Sequence, residues 1–305
     1  MRLLISGASG LLGINLALEA CKDHDVIGVV HHTLIANDHF QVLRADLTQD
    51  DEIDQLIETV RPDWIINCAA LADLEACETN PPLAKKLNTD LPTKLATYVA
   101  RGGARLLQIS TDAVFDGQRG GYTEDDEPHP LSVYAQTKLD GERAVLTIAP
   151  QSLVVRVNFF GWSMSGKRSL AEFFLSNLQA GRTVMGFTDV YFCPLLVNDL
   201  AHILLQLMNK NCSGLYHVVA PQAISKYEFG VAIARQFGLD ERLIQPTTIA
   251  QANLKATRAP NMTLDTSKLQ RELSGALPTI ETEIERFWQL WLQGYPTKLS
   301  KMRIS

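Results

Sequence analysis

Tyr134 and Lys138 stand four residues apart in the run Tyr134-Ala135-Gln136-Thr137-Lys138. On a helix this spacing puts both side chains on one face, one turn apart. An ammonium beside a phenol favours the phenolate and lowers the tyrosine pKa from about 10. Such a phenol suits a general acid or base working near neutral pH. Upstream, Ser110-Thr111 closes an apolar run that reads as a strand. The C-terminal ends of parallel strands border the ligand crevice of α/β folds. A hydroxyl there either holds a reacting carbonyl toward the tyrosine or caps a turn.

A second constellation lies at the start of the chain, where Gly7-Ala8-Ser9-Gly10-Leu11-Leu12-Gly13 follows a strand-like run and opens a helix. One glycine permits a tight turn, one lets backbone amides approach a pyrophosphate, and one allows close helix–strand packing. The helix N-terminus adds amides and the positive end of its dipole, with Ser9, Leu11 and Leu12 beside the glycines. The spacing is GxxGxxG and there is no Walker lysine, so a dinucleotide cofactor is favoured over a P-loop NTPase. An acid closing the second strand would hydrogen-bond a ribose and repel a 2′-phosphate. Here that strand ends in Val29-Val30-His31-His32. The two imidazoles either face a 2′-phosphate, which favours NADPH with NADH possible, or are exposed loop residues. Asp46-Leu47 either contacts adenine or has Asp46 as the N-cap of the following helix. Lys138 is also placed to hold the nicotinamide ribose.

These groups need a scaffold, and the apolar pattern supplies one. Strands are expected at Arg2–Ser6, Val26–Val30, Gln41–Ala45, Trp64–Cys68, Leu106–Ser110 and Leu153–Phe159. Between them helical spacing runs over Leu12–Cys21, Asp51–Thr59, a long stretch Leu83–Arg101, and Tyr134–Leu146. Alternation of this kind predicts βαβ units in a doubly wound parallel sheet of Rossmann type, covered on both faces. Residues 1–160 are read as the nucleotide domain. The chain is expected to return to it near 184–220, with a strand at Gly214–Val219. Residues 161–183 and 221–305 are read as a smaller α/β lobe for substrate, with helices at Leu170–Ala180, Asn198–Met208, Tyr227–Phe237 and Glu281–Leu292.

Composition narrows the function classes. The chain has 305 residues, 46% apolar and 20% charged, which excludes a disordered chain. No run approaches the ~18 apolar residues of a membrane span. A net charge of −6 without a basic block argues against nucleic acid or anionic membrane as partner. The tail carrying Lys298, Lys301 and Arg303 is read as a solvated end. Five scattered cysteines without a CxxC pair, and a strand beginning at Arg2, predict a cytoplasmic protein with reduced thiols and no metal site.

Taken together, Gly7–Gly13, Asn67-Cys68-Ala69-Ala70, Ser110–Gly117 (STDAVFDG) and Tyr134–Lys138 resemble an extended short-chain dehydrogenase/reductase. The branch they are most similar to is the dTDP-4-dehydrorhamnose reductase-like group, which also matches in Pro130–Glu142 and Arg156–Gly161. The resemblance is specific over about residues 1–161, weaker over Gly181–Ala201 and general beyond. It implies a Rossmann fold, a nicotinamide cofactor and reduction of a 4-keto group on a deoxysugar nucleotide, by a monomer or homodimer. It implies Thr111, Tyr134 and Lys138 as the catalytic set. Cys68, Ala69 and Ala70 would line the cofactor, Asn88 would belong to its cofactor or proton-relay region, and Asp112, Ala113, Phe115, Asn158 and Phe159 would line the substrate.

The chain departs from this branch at Ala113, where tyrosine is usual, at Phe159 (tryptophan), at Val190 (glutamine) and at Leu195 (threonine). The hydride machinery is therefore intact while the sugar pocket is altered. Two rival readings remain: a nucleotide-sugar epimerase or dehydratase with bound NAD, for which Asp112 offers an acid beside Thr111, and a non-catalytic NADP-binding subunit like the regulatory subunit of methionine adenosyltransferase. Arg156 either neutralises a substrate phosphate or forms a buried ion pair, and Arg258 either clamps a diphosphate or lies on a surface loop. Trp288 and Trp291 are read as helix-packing residues, Glu124–Glu127 as a solvated acidic loop, and Met164–Arg168 as a loop able to close over substrate.

Overall fold

The computed structural model describes residues 1–252 and 259–304. Seven strands form one sheet: β1 (Arg2–Ser6), β2 (Asp25–Val30), β3 (Gln41–Arg44), β4 (Trp64–Asn67), β5 (Arg105–Thr111), β6 (Leu153–Val157) and β7 (Gly214–Val218). Their order is β3-β2-β1-β4-β5-β6-β7 and every pairing is parallel. This is the doubly wound Rossmann arrangement, whose order reverses between β1 and β4 and opens a crevice at the strands' C-terminal ends. Apolar residues alternate between its faces. Leu3 and Ile5 pack with Leu16, Leu200 and Leu204 on one side, while Leu4 packs with Ile53, Leu95 and Val145 on the other.

The return to the sheet is narrower than expected. Helix Val197–Asn209 packs on helix Leu11–Ala20 and leads into β7, but Val184–Phe187 pairs with Ile244–Thr247 outside the sheet. The strand expected through Phe159 ends at Val157, and Phe159–Phe160 pairs instead with Leu195–Leu196. Beyond it, helices Leu170–Gln179, Lys226–Gln236 and Ile280–Leu292 enclose Phe160, Phe174, Phe229 and Phe287, all fully buried.

Two expectations are overturned. The long helix through 83–101 is broken: Pro81–Lys85 and Leu91–Ala100 flank a π turn at Lys86–Asp90. Pro92 has no N–H for the Asn88 carbonyl and its ring crowds it, so the ladder widens and Leu91 N–H reaches Lys86 O. The tail is not a free end either. Helix Tyr295–Met302 buries Leu299 and Met302, and Arg303–Ile304 pairs antiparallel with Leu34–Ile35. Its charged side chains are exposed, which is all that composition could report. Among the described residues no helix is long and apolar enough to cross a membrane.

Glu283 is fully buried at the junction of sheet and lobe. One carboxyl oxygen accepts the Leu196 N–H at 2.8 Å and the other has no partner among the described residues. Burial pushes its pKa up to about 8. The folded state therefore keeps a proton that the unfolded state releases near pH 4.5. Stability from this group is present at acid pH and is lost as pH rises through about 8. Glu283→Gln stays neutral and keeps an acceptor for Leu196. Its thermal midpoint is expected to match wild type near pH 4 and to exceed it increasingly toward pH 8. A difference that does not grow with pH would count against a proton held at Glu283.

Candidate active site

The C-terminal ends of β1, β2, β4 and β5 open on a cavity of about 1090 Å³. Gly7, Ser9, Gly10, Leu11, Leu12 and Gly13 line its floor. Gly7 adopts φ +65°, and a Cβ there would sit 2.9 Å from the Ala69 backbone; one on Gly13 would sit 2.2 Å from Gly7 O. The turn is therefore a backbone surface pressed against the β4 exit. Helix Leu11–Ala20 has no side-chain cap at Gly10, so its first amides face the cavity without a side-chain acceptor. That donor set fits the pyrophosphate of a dinucleotide. Cys68, Ala69 and Ala70 form the opposite wall. Burial pushes the Cys68 thiol up to about 12, so it is no nucleophile near neutrality.

His31, His32, Asp46 and Leu47 line the far end. The two imidazole rings lie 3.7 Å apart. His31 Nε2 is 3.8 Å from an Asp46 carboxylate oxygen, so the fold brings an acid from the β3 exit to a place where β2 itself carries none. Asp46 is not a helix cap: it accepts Thr48 N–H at 2.9 Å and Thr48 Oγ1 at 2.7 Å, while Gln49 is the N-cap of helix Asp50–Val60. The backbone and hydroxyl bonds from Thr48 hold its pKa below the usual carboxylate range.

At the other end Thr111, Tyr134 and Lys138 meet in the cavity wall. Ser132 caps helix Val133–Ile148 and so places Tyr134 in its first turn. Thr111 Oγ1 accepts the Ala113 N–H and donates to Asp112 Oδ1, each at 3.1 Å. It caps a turn and faces Tyr134 at the same time. Burial pushes the Tyr134 phenol up to about 12; the Thr111 hydroxyl draws it back and the Asp112 charge raises it further. The expected depression by Lys138 is not what the geometry gives. Lys138 Nζ donates to Ile109 O at 2.6 Å, and burial lowers its pKa to about 8, opposed by Glu142. Near neutrality Tyr134 is a protonated acid and Lys138 a cation.

Asp112, Asn158 and Phe159 also line the cavity. Asn158 Nδ2 donates to Asp112 Oδ2 at 2.5 Å, and burial pushes the Asp112 carboxyl up to about 6. Ala113 and Phe115 do not line it. Phe115 is buried, its ring stacked on Tyr122 at 4.1 Å with the Arg156 guanidinium 4.9 Å from its centroid, because the turn after β5 rolls this face into the core. Val190 and Leu195 are core residues too. Asn88 does not line the cavity either. Its amide accepts Leu71 N–H at 2.9 Å and donates to Leu71 O and Thr137 Oγ1, tying the wall after β4 to the Tyr134 helix.

Several supporting residues escape sequence reasoning. Ser6, Asn67 and Gln108 occupy paired register positions on β1, β4 and β5. Ser6 Oγ donates to Asn67 Oδ1 at 2.6 Å, Asn67 Nδ2 to Gln108 Oε1 at 2.8 Å, and Gln108 Nε2 to Ile109 O, the carbonyl that also holds Lys138. The signal was there: three polar residues inside otherwise apolar strands. Glu142, one turn beyond Lys138, accepts from Ser110 Oγ and from both Arg156 Nε and Nη2. Arg156 is thus in a buried ion pair and does not face the cavity. The acidic run is only partly solvated, since Glu124 accepts His217 N–H at 2.9 Å and Asp126 pairs with Arg119. Trp288 is half-buried, and Trp291 is 42% exposed with its ring edge-on to Phe237. Arg258 lies outside the described residues.

Removing one partner of a buried ion pair strands the other charge. Glu142→Gln is expected to cost about 3–5 kcal/mol in urea unfolding. The double change Glu142→Gln with Arg156→Met should recover the part of that loss that comes from the unpaired Arg156. Equal losses in the single and double variants would argue that Arg156 is not the charge that makes Glu142 necessary.

The fold and the cavity have counterparts in known proteins. A family model described as the RmlD substrate binding domain matches residues 1–292. The chain is 32% identical over 290 residues to the probable low-salt glycan biosynthesis reductase of Haloferax volcanii, covering 93% of this chain and 96% of that one. It is 34% identical over 282 residues to methionine adenosyltransferase 2 subunit beta of Xenopus laevis, covering 88% and 82%. The crystal structure of a hypothetical dTDP-4-dehydrorhamnose reductase from Sulfolobus tokodaii is similar with a TM-score of 0.80 at 31% identity, covering 89% of this chain and 94% of that one. With the match running from β1 through the last long helix of the lobe, the chain belongs to the RmlD substrate binding domain family.

Proposed function

We propose that the protein is an NADPH-dependent reductase of a 4-keto group on a deoxysugar nucleotide. The observation that carries the proposal is that Tyr134, Thr111 and Lys138 share one cavity with the Gly7–Gly13 turn. The similarity to reductases over nearly the whole chain supports it. A nicotinamide cofactor, when bound, supplies the hydride. Thr111 orients the carbonyl toward Tyr134. Tyr134 donates the proton to the carbonyl oxygen, a role suited to a phenol that burial keeps protonated. Lys138, anchored on Ile109 O, has ammonium protons left to hold the nicotinamide ribose. The glycine turn takes the pyrophosphate, and His31 and His32 take the 2′-phosphate. No step needs a metal.

A second reading is favoured by the similarity to methionine adenosyltransferase 2 subunit beta: a cofactor-binding subunit without turnover of its own. The two readings part in one assay. NADPH consumption is followed with freshly generated dTDP-4-dehydro-L-rhamnose, for wild type and Tyr134→Phe. The reductase reading expects turnover that falls about 10²–10⁴-fold in the variant, with NADPH affinity changed less than about threefold. A wild type that binds NADPH, turns over no keto sugar and captures an enzyme partner in fixed ratio would move the assignment to the subunit.

Cofactor choice is tested separately. NADPH is expected to bind more tightly than NADH, and replacing His31 and His32 together by alanine should remove most of that margin. Comparable affinities for the two cofactors in the wild type would refute a 2′-phosphate site at these histidines.

A further inference from the structure

The loop after Phe159–Phe160 carries two cations whose presentation is built into the fold. Lys167 and Arg168 line the cavity, are exposed, and have no ion-pair partner among the described residues. Their backbone is not loose. Glu172, itself buried, accepts Ser163 N–H at 2.7 Å, Arg168 N–H at 2.8 Å and Ser169 N–H at 3.1 Å, and also the Ser163 hydroxyl. Ser169 Oγ donates to Gly161 O at 2.7 Å, and Met164 is buried in the lobe core. Only the tip projects. The loop root is held against the glycine turn's helix by Asn15 Nδ2, which donates to Trp162 O at 3.0 Å.

The charges around this tip define its ligand. Among the described lining residues the other lysine or arginine is Lys138, whose buried ammonium donates to Ile109 O. The cofactor's pyrophosphate is served by uncapped helix amides. A nucleotide sugar brings a second diphosphate, and nothing else described in the wall offers it a fixed countercharge. We propose that Lys167 and Arg168 form a two-cation clamp for the diphosphate of the nucleotide substrate, held open for it by Glu172. The clamp gives the substrate class named above its anchor, and it rests on that reading for the diphosphate itself. An ammonium and a guanidinium lining one cavity match a dianion, with Arg168 supplying a fork for paired oxygens.

The test is calorimetric titration of the NADP⁺-loaded protein with dTDP, UDP and thymidine, in wild type and in the variant carrying Lys167→Ala and Arg168→Ala. Both side chains are exposed, so melting temperatures should agree and folding is not at issue. Wild type is expected to bind at least one of the two nucleoside diphosphates. The variant should lose about 30-fold in that affinity and most of its salt dependence, while thymidine and NADP⁺ affinities stay within about threefold. Three results would overturn the clamp: no binding of either diphosphate by wild type, the same diphosphate affinity in both proteins, or a loss that falls on NADP⁺ instead. A variant that loses the diphosphate in a protein that reduces no keto sugar would leave the clamp standing and remove only the reductase assignment.

Discussion

A buried ammonium governs the architecture around the cavity. Lys138 is only 4% exposed, and a charge so placed persists only where fixed dipoles and a counter-charge replace water. The Ile109 carbonyl supplies the first and Glu142, one helical turn on, the second. Glu142 is buried in turn and is neutralised by Arg156, whose guanidinium lies between Phe115 and His217. His217 completes the balance by staying neutral: burial and the Arg156 charge push its pKa down to about 3. One cation at the cavity therefore fixes the chemistry of four residues on β5, β6, β7 and the Tyr134 helix.

The same constraint explains the close packing behind the site. For Lys138 to reach a carbonyl of β5, the helix Val133–Ile148 must lie tight against its neighbours. Gly141 makes this possible on one side, since a Cβ there would fall 2.2 Å from Asn88 O. Pro92 makes it possible on the other, because it offers no N–H to that Asn88 carbonyl, which lies against Gly141. The Asn88 side chain then binds Leu71 and Thr137, so that the wall after β4 moves with the Tyr134 helix as one unit. An irregular helix is here the local cost of a regular cavity.

What the sequence discloses follows from the range of the forces involved. The six strands up to Phe159, the glycine turn and the Tyr134–Lys138 pair were legible because each is written in local periodicity or spacing. The neutral-pH phenolate was not, since it assumed that residues one turn apart must share a charge. Lys138 instead turns to the sheet, a long-range contact with no local signature. Asn88 was legible as a position but not as a role, because its partners lie 17 and 49 residues away. The docking of Arg303–Ile304 on Leu34–Ile35 is longer-ranged still. Gln108, a polar residue inside an otherwise apolar strand, was the missed cue that could have been read.

The departures on the substrate side take on a different meaning once placed. Val190 and Leu195 are buried, Leu195 in the core beside the main sheet, and Ala113 sits outside the cavity wall. Replacing polar or aromatic groups there by apolar ones of other sizes alters how the chain packs at the strand ends more than which atoms a ligand meets. The groups that do face the cavity at this end, Asp112, Asn158 and Phe159, are joined by the Asn158–Asp112 bond and by the pairing of Phe159 with Leu195. The shape of this end of the cavity is thereby coupled to lobe packing through a two-residue strand, while Tyr134 and Lys138 are set by the packing of their helix on the sheet. A fold divided in this way can change its ligand by repacking the lobe without touching the chemistry, which is how one scaffold comes to host several functions.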